Sequence, residues 1–223
     1  MPDLQWEKAH MANHAGLVVG IDEAGRGPWA GPVTAAAAWL SPNHFDCLPD
    51  GLDDSKKLSP GKRADFHHLL TTGLHLHALV TVPVEVIDRD GILRATLDAM
   101  AAVAAALASR ISAAGHGAVA QVLIDGNQMP RGLAAPAQTV VKGDSKSLSI
   151  AAASVIAKHE RDLVMTDLAA AHPGYGWETN MGYGTAAHRS AMARLGVTPH
   201  HRRSFAPVRD QLAAMADTAS TKG

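Results

Sequence analysis

Four acids stand where a charge-handling centre would need them. Asp22 closes a short apolar run from Gly16 to Ile21, with Glu23 next to it. Asp125 closes a second run, Val119 to Ile124, and is followed at once by Gly126 and Asn127. Asp144 precedes a long helical pattern. In open α/β sheets, sites gather outside the carboxyl ends of strands, so Asp22 and Asp125 lie side by side if their strands are neighbours. Adjacent residues of a strand point to opposite faces, so Glu23 joins Asp22 only where the strand is breaking. Bare carboxylates held together raise one another's pKa, and a hard divalent cation removes that cost. All-oxygen ligation selects Mg²⁺ or Mn²⁺ over zinc. Taken singly, each Asp also reads as a turn former, and Asp144 as the N-cap of the helix after it.

Other residues bear on substrate. Gly25-Arg26-Gly27 is a turn whose glycines allow close backbone approach and leave N–H groups for anions or hydroxyls. It also reads as a plain tight turn, and no GxxxxGK[ST] is present. From Met181 to Arg209 there is no Asp or Glu, while Arg189, Arg194, Arg202, Arg203 and Arg209 all fall there. Arginine suits phosphate through its planar fork, although such runs also form solvated helix faces. Lys56 and Lys57 form a second, smaller basic pair, and Tyr183 sits between glycines ahead of the basic stretch, able to stack on a sugar or base. The 13 histidines, with His10/His14, His67-His68, His75/His77 and His200-His201 as the close pairs, match no HExxH or finger spacing and read as surface or satisfied residues. No GxSxG elbow supports serine hydrolysis.

The elements that must carry these residues follow from hydrophobic period and breakers. Residues 1–15 read as polar and frayed. A strand ends at Asp22, and Val33 to Leu40 returns along it as a hairpin. A helix starts near Ser59, a strand covers His75 to Val84, and a helix covers Glu85 to Ser109. Strands at 119–124 and 139–141 precede a helix from Gly143 to about Ala170. A further helix covers Thr185 to Arg194, and the polar, alanine-rich tail from Asp210 reads as one last helix and then disorder. Strands first and then mixed β and α predict a mixed sheet with helices on both faces.

Length and composition bound the rest. A chain of 223 residues is one domain by length, with enough chain to bury about 70% of its unfolded surface. With 47% hydrophobic and 18% charged residues it reads as globular, and with 4% aromatics its core is aliphatic. Twenty basic against 21 acidic residues exclude a polycation that coats nucleic acid by bulk charge. One cysteine, Cys47, permits no intrachain disulfide and no thiolate zinc cluster, which points to a reducing cytoplasm. The start, with Asp3, Glu7 and Lys8, is not a secretory signal, and the apolar run Ala99–Ala108 is about half of a membrane span.

Six blocks in order carry a resemblance: IDEAGRGPWAGPV (21–33), LDDSKKLS (52–59), LIDGN (123–127), KGDSKSLSIAAASVIAKHERD (142–162), GYGTAAH (182–188) and HRRSFAPV (201–208). Together they resemble bacterial ribonuclease HII, of the type 2 ribonuclease H family. The resemblance implies an α/β ribonuclease H-like fold, with a central mixed sheet flanked by helices and a helical C-terminal part. It implies one catalytic domain over 1–209 and a tail over 210–223. The implied activity is hydrolysis of RNA in RNA–DNA hybrids and incision 5′ of single ribonucleotides in duplex DNA, leaving 3′-hydroxyl and 5′-phosphate ends. By motif, Asp22, Glu23, Asp125 and Asp144 match the family's catalytic, metal-binding acids, with two Mg²⁺ or Mn²⁺ ions in the active complex. Gly25, Arg26 and Gly27 match the turn that reads the 2′-hydroxyl, and Tyr183 the tyrosine that packs on the next nucleotide. Lys56, Arg202, Arg203 and Ser204 are counted with the substrate-binding residues. A monomer with no membrane partner is expected.

Asp162 competes with Asp144 for the fourth place, but eighteen residues of continuous helix would put it about 27 Å away, so it is expected to pair locally with Arg161 or Lys158. Two departures from the family stand out. Met181 occupies a place where lysine is usual, and His159 and Glu160 replace small or β-branched residues on a face expected to be solvated. The rivals are a DNA-junction nuclease of the same fold, a non-catalytic hybrid-binding module and a small-substrate phosphatase. The turn, the complete set of acids and the acid-free basic stretch argue against them in that order.

Overall fold

The computed structural model describes residues 1–13 and 16–220, which form two compact units: one of 1–13, 16–24, 34–81 and 96–160, the other of 25–33, 82–95 and 161–220. A five-stranded sheet has the order β3-β2-β1-β4-β5, from β1 (Leu17–Ala24), β2 (Val33–Trp39), β3 (Leu76–Val82), β4 (Val119–Asp125) and β5 (Ala137–Val140). β1 pairs antiparallel with β2, as the glycine- and proline-rich turn between them predicts, and parallel with β4, which pairs parallel with β5. The sheet is therefore mixed.

Helices α1 (Gln5–Asn13), α2 (Pro60–Thr71), α3 (Val84–Asp90), α4 (Ile92–Ala113), α5 (Leu148–Ala171), α6 (Trp177–Asn180), α7 (Ala186–Leu195) and α8 (Ala206–Ser220) complete the described chain. Ser59 caps α2 through Lys62 N, and Thr185 caps α7 through His188 N. In the first unit, small residues let layers approach closely. Ala36 and Ala38 of β2 and Ala24 of β1 bury against Phe66 and Leu70 of α2 and the alanines 151–153 and 157 of α5. The opposite face carries Val122, which lines a groove with Ala101, Ala104 and Ala108 of α4.

The structure corrects two expectations about these elements. Residues 5–13 form a helix whose Trp6 and Met11 pack on Val18, Leu123, Val140 and Ile150; they are not frayed. His14, of the His10/His14 pair, lies outside the described residues. The helix expected over Glu85–Ser109 is two, α3 and α4, broken at Gly91, whose φ of 81° is costly for any other residue. The last helix expected in the tail is α8, which starts at Ala206 and runs as far as Ser220. At 22 residues, α4 is the one helix among the described residues long and apolar enough to cross a membrane by length and composition. It buries Ala95, Ala99, Val103 and Leu107, a stripe at fourth-residue spacing, as a core helix does.

Candidate active site

Register places the acids. In the parallel β1–β4 pair, Gly20 faces Leu123 and Ile21 faces Ile124, so the next residues, Asp22 and Asp125, end side by side at the carboxyl edge. Side chains alternate along a strand, so Asp22 shares the face of Val18, and Asp125 that of Leu123. Val18 and Leu123 both pack on Ile150 in the first turn of α5, and Asp144 lies just before that turn. Gly20 makes the approach possible, since a Cβ there would lie 2.2 Å from the backbone of Ser149. The three carboxylates converge: Asp22, Asp125 and Asp144 each offer an oxygen, all within 4.8 Å of one another. Asp125 also accepts the Gly143 N–H at 2.6 Å, tying the strand end to the Asp144 turn.

Glu23 is outside this group. Its charge still reaches the centre, where it raises the Asp22 carboxyl, and its N–H donates to Asp22 Oδ1 at 2.7 Å. Asp162 is outside it as well, within the continuous helix α5.

The electrostatics describe a centre short of positive charge. Burial, then Glu23 and Asp125, push the Asp22 carboxyl well above its usual range, against the Ser154 hydrogen bond that lowers it. Burial, Asp125 and Asp54 raise Asp144, against Lys56. Lys56 Nζ lies 3.6 Å from both Asp144 Oδ2 and Asp54 Oδ1. Burial opposes its charge, but Asp22, Asp54, Asp144 and Asp125 together hold it above the usual lysine value. One exposed ammonium among so many carboxylates leaves them undercompensated. An all-oxygen donor set in which Asp22 and Asp144 resist ionisation fits a hard divalent cation. Asp54, which no sequence pattern singled out, belongs to this environment through Asp144 and Lys56.

The second unit holds the other predicted residues. Arg26 and Gly27 are exposed, and the Tyr183 ring lies against Gly27, where a Cβ would be 3.3 Å from Cε1. Arg202, expected among the substrate-binding residues, is not on the surface. It is fully buried, and its guanidinium donates to the carbonyls of Gly25, Arg26, Gly31 and Pro32 at 2.6–3.0 Å. A trans peptide points its C=O and N–H in opposite directions. Drawing the Arg26 carbonyl to Arg202 therefore turns the Gly27 N–H away from it. Arg161, which feels the charge of Asp162, donates to the carbonyls of Pro32, Ala30 and Met181. Met181 accepts those bonds from a left-handed conformation, φ 49°.

Arg203 and Ser204 are exposed, and both their backbone N–H groups are held by Asp88 at 2.9 Å. The loop of Tyr183 is set by histidines. Trp177 Nε1–H donates to His188 Nε2 at 3.0 Å, so His188 Nδ1–H donates to the Tyr183 carbonyl, also at 3.0 Å. His201 completes the cluster, its Nε2 3.1 Å from that of His188, and burial followed by His188 lowers it to about 3. Elsewhere, His159 and Glu160 are half-buried: His159 stacks on His67, and Glu160 lies 2.7 Å from His67 Nε2.

The ribonuclease HII family model matches residues 19–208, most of the chain. Ribonuclease HII of Paracoccus denitrificans is 51% identical over 207 residues, covering 93% of each chain. The chain belongs to the ribonuclease HII family. Ribonuclease HII of Roseobacter denitrificans is 52% identical over 205 residues, covering 91% of this chain and 96% of its own. Among solved structures, ribonuclease H2 of Pyrococcus horikoshii superposes with a TM-score of 0.72 at 24% identity, over 87% of this chain and 96% of that one. Bst-RNase HIII, solved in complex with Mn²⁺, gives 0.76 at 21%, over 92% and 72%. These likenesses establish a ribonuclease H-like α/β fold.

Proposed function

We propose that this ribonuclease HII family member hydrolyses the RNA strand of RNA–DNA hybrids and incises duplex DNA on the 5′ side of single embedded ribonucleotides. The observation that carries this reading is the meeting of Asp22, Asp125 and Asp144 within 4.8 Å, in a chain about half identical to named ribonucleases HII along nearly its full length. Two divalent ions bound there would supply the charge that lowers the pKa of an attacking water and neutralises the departing 3′-oxygen. Asp22, Asp125, Asp144 and Glu23 would hold these ions, Asp22 and Asp125 shared between them and Asp144 and Glu23 on one side each. Water's oxygen bonds to phosphorus as the P–O3′ bond breaks, leaving a 5′-phosphate and a 3′-hydroxyl.

The backbone of Gly25–Gly27 reads the 2′-hydroxyl, the group by which a protein tells RNA from DNA. Tyr183 packs on the nucleotide that follows, and Lys56, Arg203 and Ser204 face backbone phosphates. Arg202 acts through the turn it holds and not on the substrate. Residues 1–209 work as one catalytic domain, as a monomer, in the cytoplasm.

The test is a DNA duplex carrying one ribonucleotide, with Mg²⁺ or Mn²⁺, beside an all-DNA duplex and an Asp125→Asn variant. A single cut 5′ of the ribonucleotide, lost in the variant and absent on DNA, is the expected result. Binding to the hybrid without cutting under either metal would instead make the chain a hybrid-binding module.

A further inference from the structure

Glu7 is 2% exposed, on a helix whose sequence reads as a polar, frayed end. Its Oε1 accepts three hydrogen bonds at the start of α5: from Ser147 Oγ at 2.6 Å, Ser149 Oγ at 2.7 Å and Ser149 N at 2.9 Å. Its Oε2 is buried with no hydrogen-bond partner among the described residues. Capping alone does not call for this arrangement. Ser147 Oγ already accepts the Ile150 N–H, as an N-cap serine does, and a serine cap carries no buried charge. A buried carboxylate with one unmatched oxygen costs stability. What Glu7 adds is a fixed position for two residues at once.

That position is transmitted to Asp144 through a short, closed stretch of backbone. Lys146 N and Ser147 N both donate to the Gly143 carbonyl, at 2.9 and 2.8 Å, so residues 143–147 form one tight turn. Gly143 N is held by Asp125 at one end of this turn, and Ser147 Oγ is held by Glu7 at the other. Asp3 reinforces the second anchor, its N–H donating to the Lys146 carbonyl and its carbonyl accepting from Leu148 N. Asp144 lies between the anchors. We infer that Glu7 is a positioning residue for the metal centre, setting Asp144 against Asp22 and Asp125 through Ser147 and Ser149. The inference rests on the metal reading above and extends the catalytic apparatus to the N-terminal helix.

The experiment is Mn²⁺ titration of the substrate-free, full-length chain by calorimetry, beside thermal unfolding and the Mn²⁺ concentration for half-maximal cleavage. Partners one step behind a ligand commonly shift metal affinity about 10- to 100-fold. Glu7→Ala is expected at the low end, about tenfold weaker, with cleavage at saturating Mn²⁺ largely retained. Glu7→Gln keeps an acceptor oxygen for the serine donors and sheds the buried charge, and should restore binding to within about twofold of wild type. Should Glu7→Ala fail to fold, Ser149→Ala removes one donor and should weaken Mn²⁺ binding in the same direction, about two- to threefold. A folded Glu7→Ala chain, or a Ser149→Ala chain, with lowered Tm and wild-type Mn²⁺ affinity overturns the inference. A wild-type chain that binds no Mn²⁺ overturns the metal reading itself, and this inference with it.

Discussion

The first unit gathers Asp22, Asp125 and Asp144, three like charges at a strand edge, and the second buries Arg161 and Arg202, two like charges behind a turn. Both arrangements set burial and repulsion against ionisation. Burial raises the pKa of Asp22 and Asp144, and burial lowers both arginines, Arg202 to about 9 with Arg161 adding to the effect. A value near 9 still leaves Arg202 a cation at neutral pH. The difference is in what answers the charge. Each guanidinium spends its N–H groups on backbone carbonyls and so is complete within the protein. The acids have one another, a few N–H donors and one exposed lysine. A buried charge answered by backbone shapes a turn. A buried cluster left undercompensated is a place for a ligand's charge.

Asp22→Asn tests this contrast with the largest effect. Cleavage should fall about a thousandfold or more, the upper range for removing one charge-stabilising group from a site, while the metal-free chain becomes more stable at neutral to alkaline pH. The sign follows from linkage. The folded pKa of Asp22 lies above the unfolded value, so its favourable contribution is full below the unfolded pKa and is lost as pH rises through the folded one. The Tm of metal-free wild type should therefore drop below that of Asp22→Asn as pH rises, and Mn²⁺ should close the gap. Parallel Tm–pH curves without metal would remove the undercompensated cluster from the account.

Arg202→Lys probes the other side. Lysine keeps the charge but cannot reach four carbonyls, so denaturant unfolding should show a loss of about 2–4 kcal/mol, with Mn²⁺ affinity unchanged. A variant of full stability that binds every duplex more weakly would put Arg202 back on the phosphate. The smallest effect belongs to Arg203→Ala, an exposed cation. It should weaken substrate binding evenly across sequences and reduce the slope of log K against log salt by about 1, with kcat unchanged. An unchanged slope would take Arg203 out of the interface.

The centre's acids were legible because their signals are local. An apolar run that stops at an acid marks a strand end, and parallel pairing of two such ends brings Asp22 and Asp125 together with no further information. Ser59 and Thr185, and Gly196 after α7, likewise announced their helix ends. Other features left no local mark. Arg202 and Arg203 are neighbours of the same type in one basic stretch, yet one is buried and the other exposed. Glu7 reads as a surface residue of a polar end, because its partners lie 140 and 142 residues away.

Residue types and short-range order were thus enough to specify the family, the strand ends and the chemistry of the acids, since periodicity, turn chemistry and charge type act over a few residues. Which charges are answered by backbone, which await a cation, and that the N-terminal helix anchors the Asp144 turn were settled by packing. Burial and long-range hydrogen bonds depend on which surfaces meet, and no window of sequence contains that.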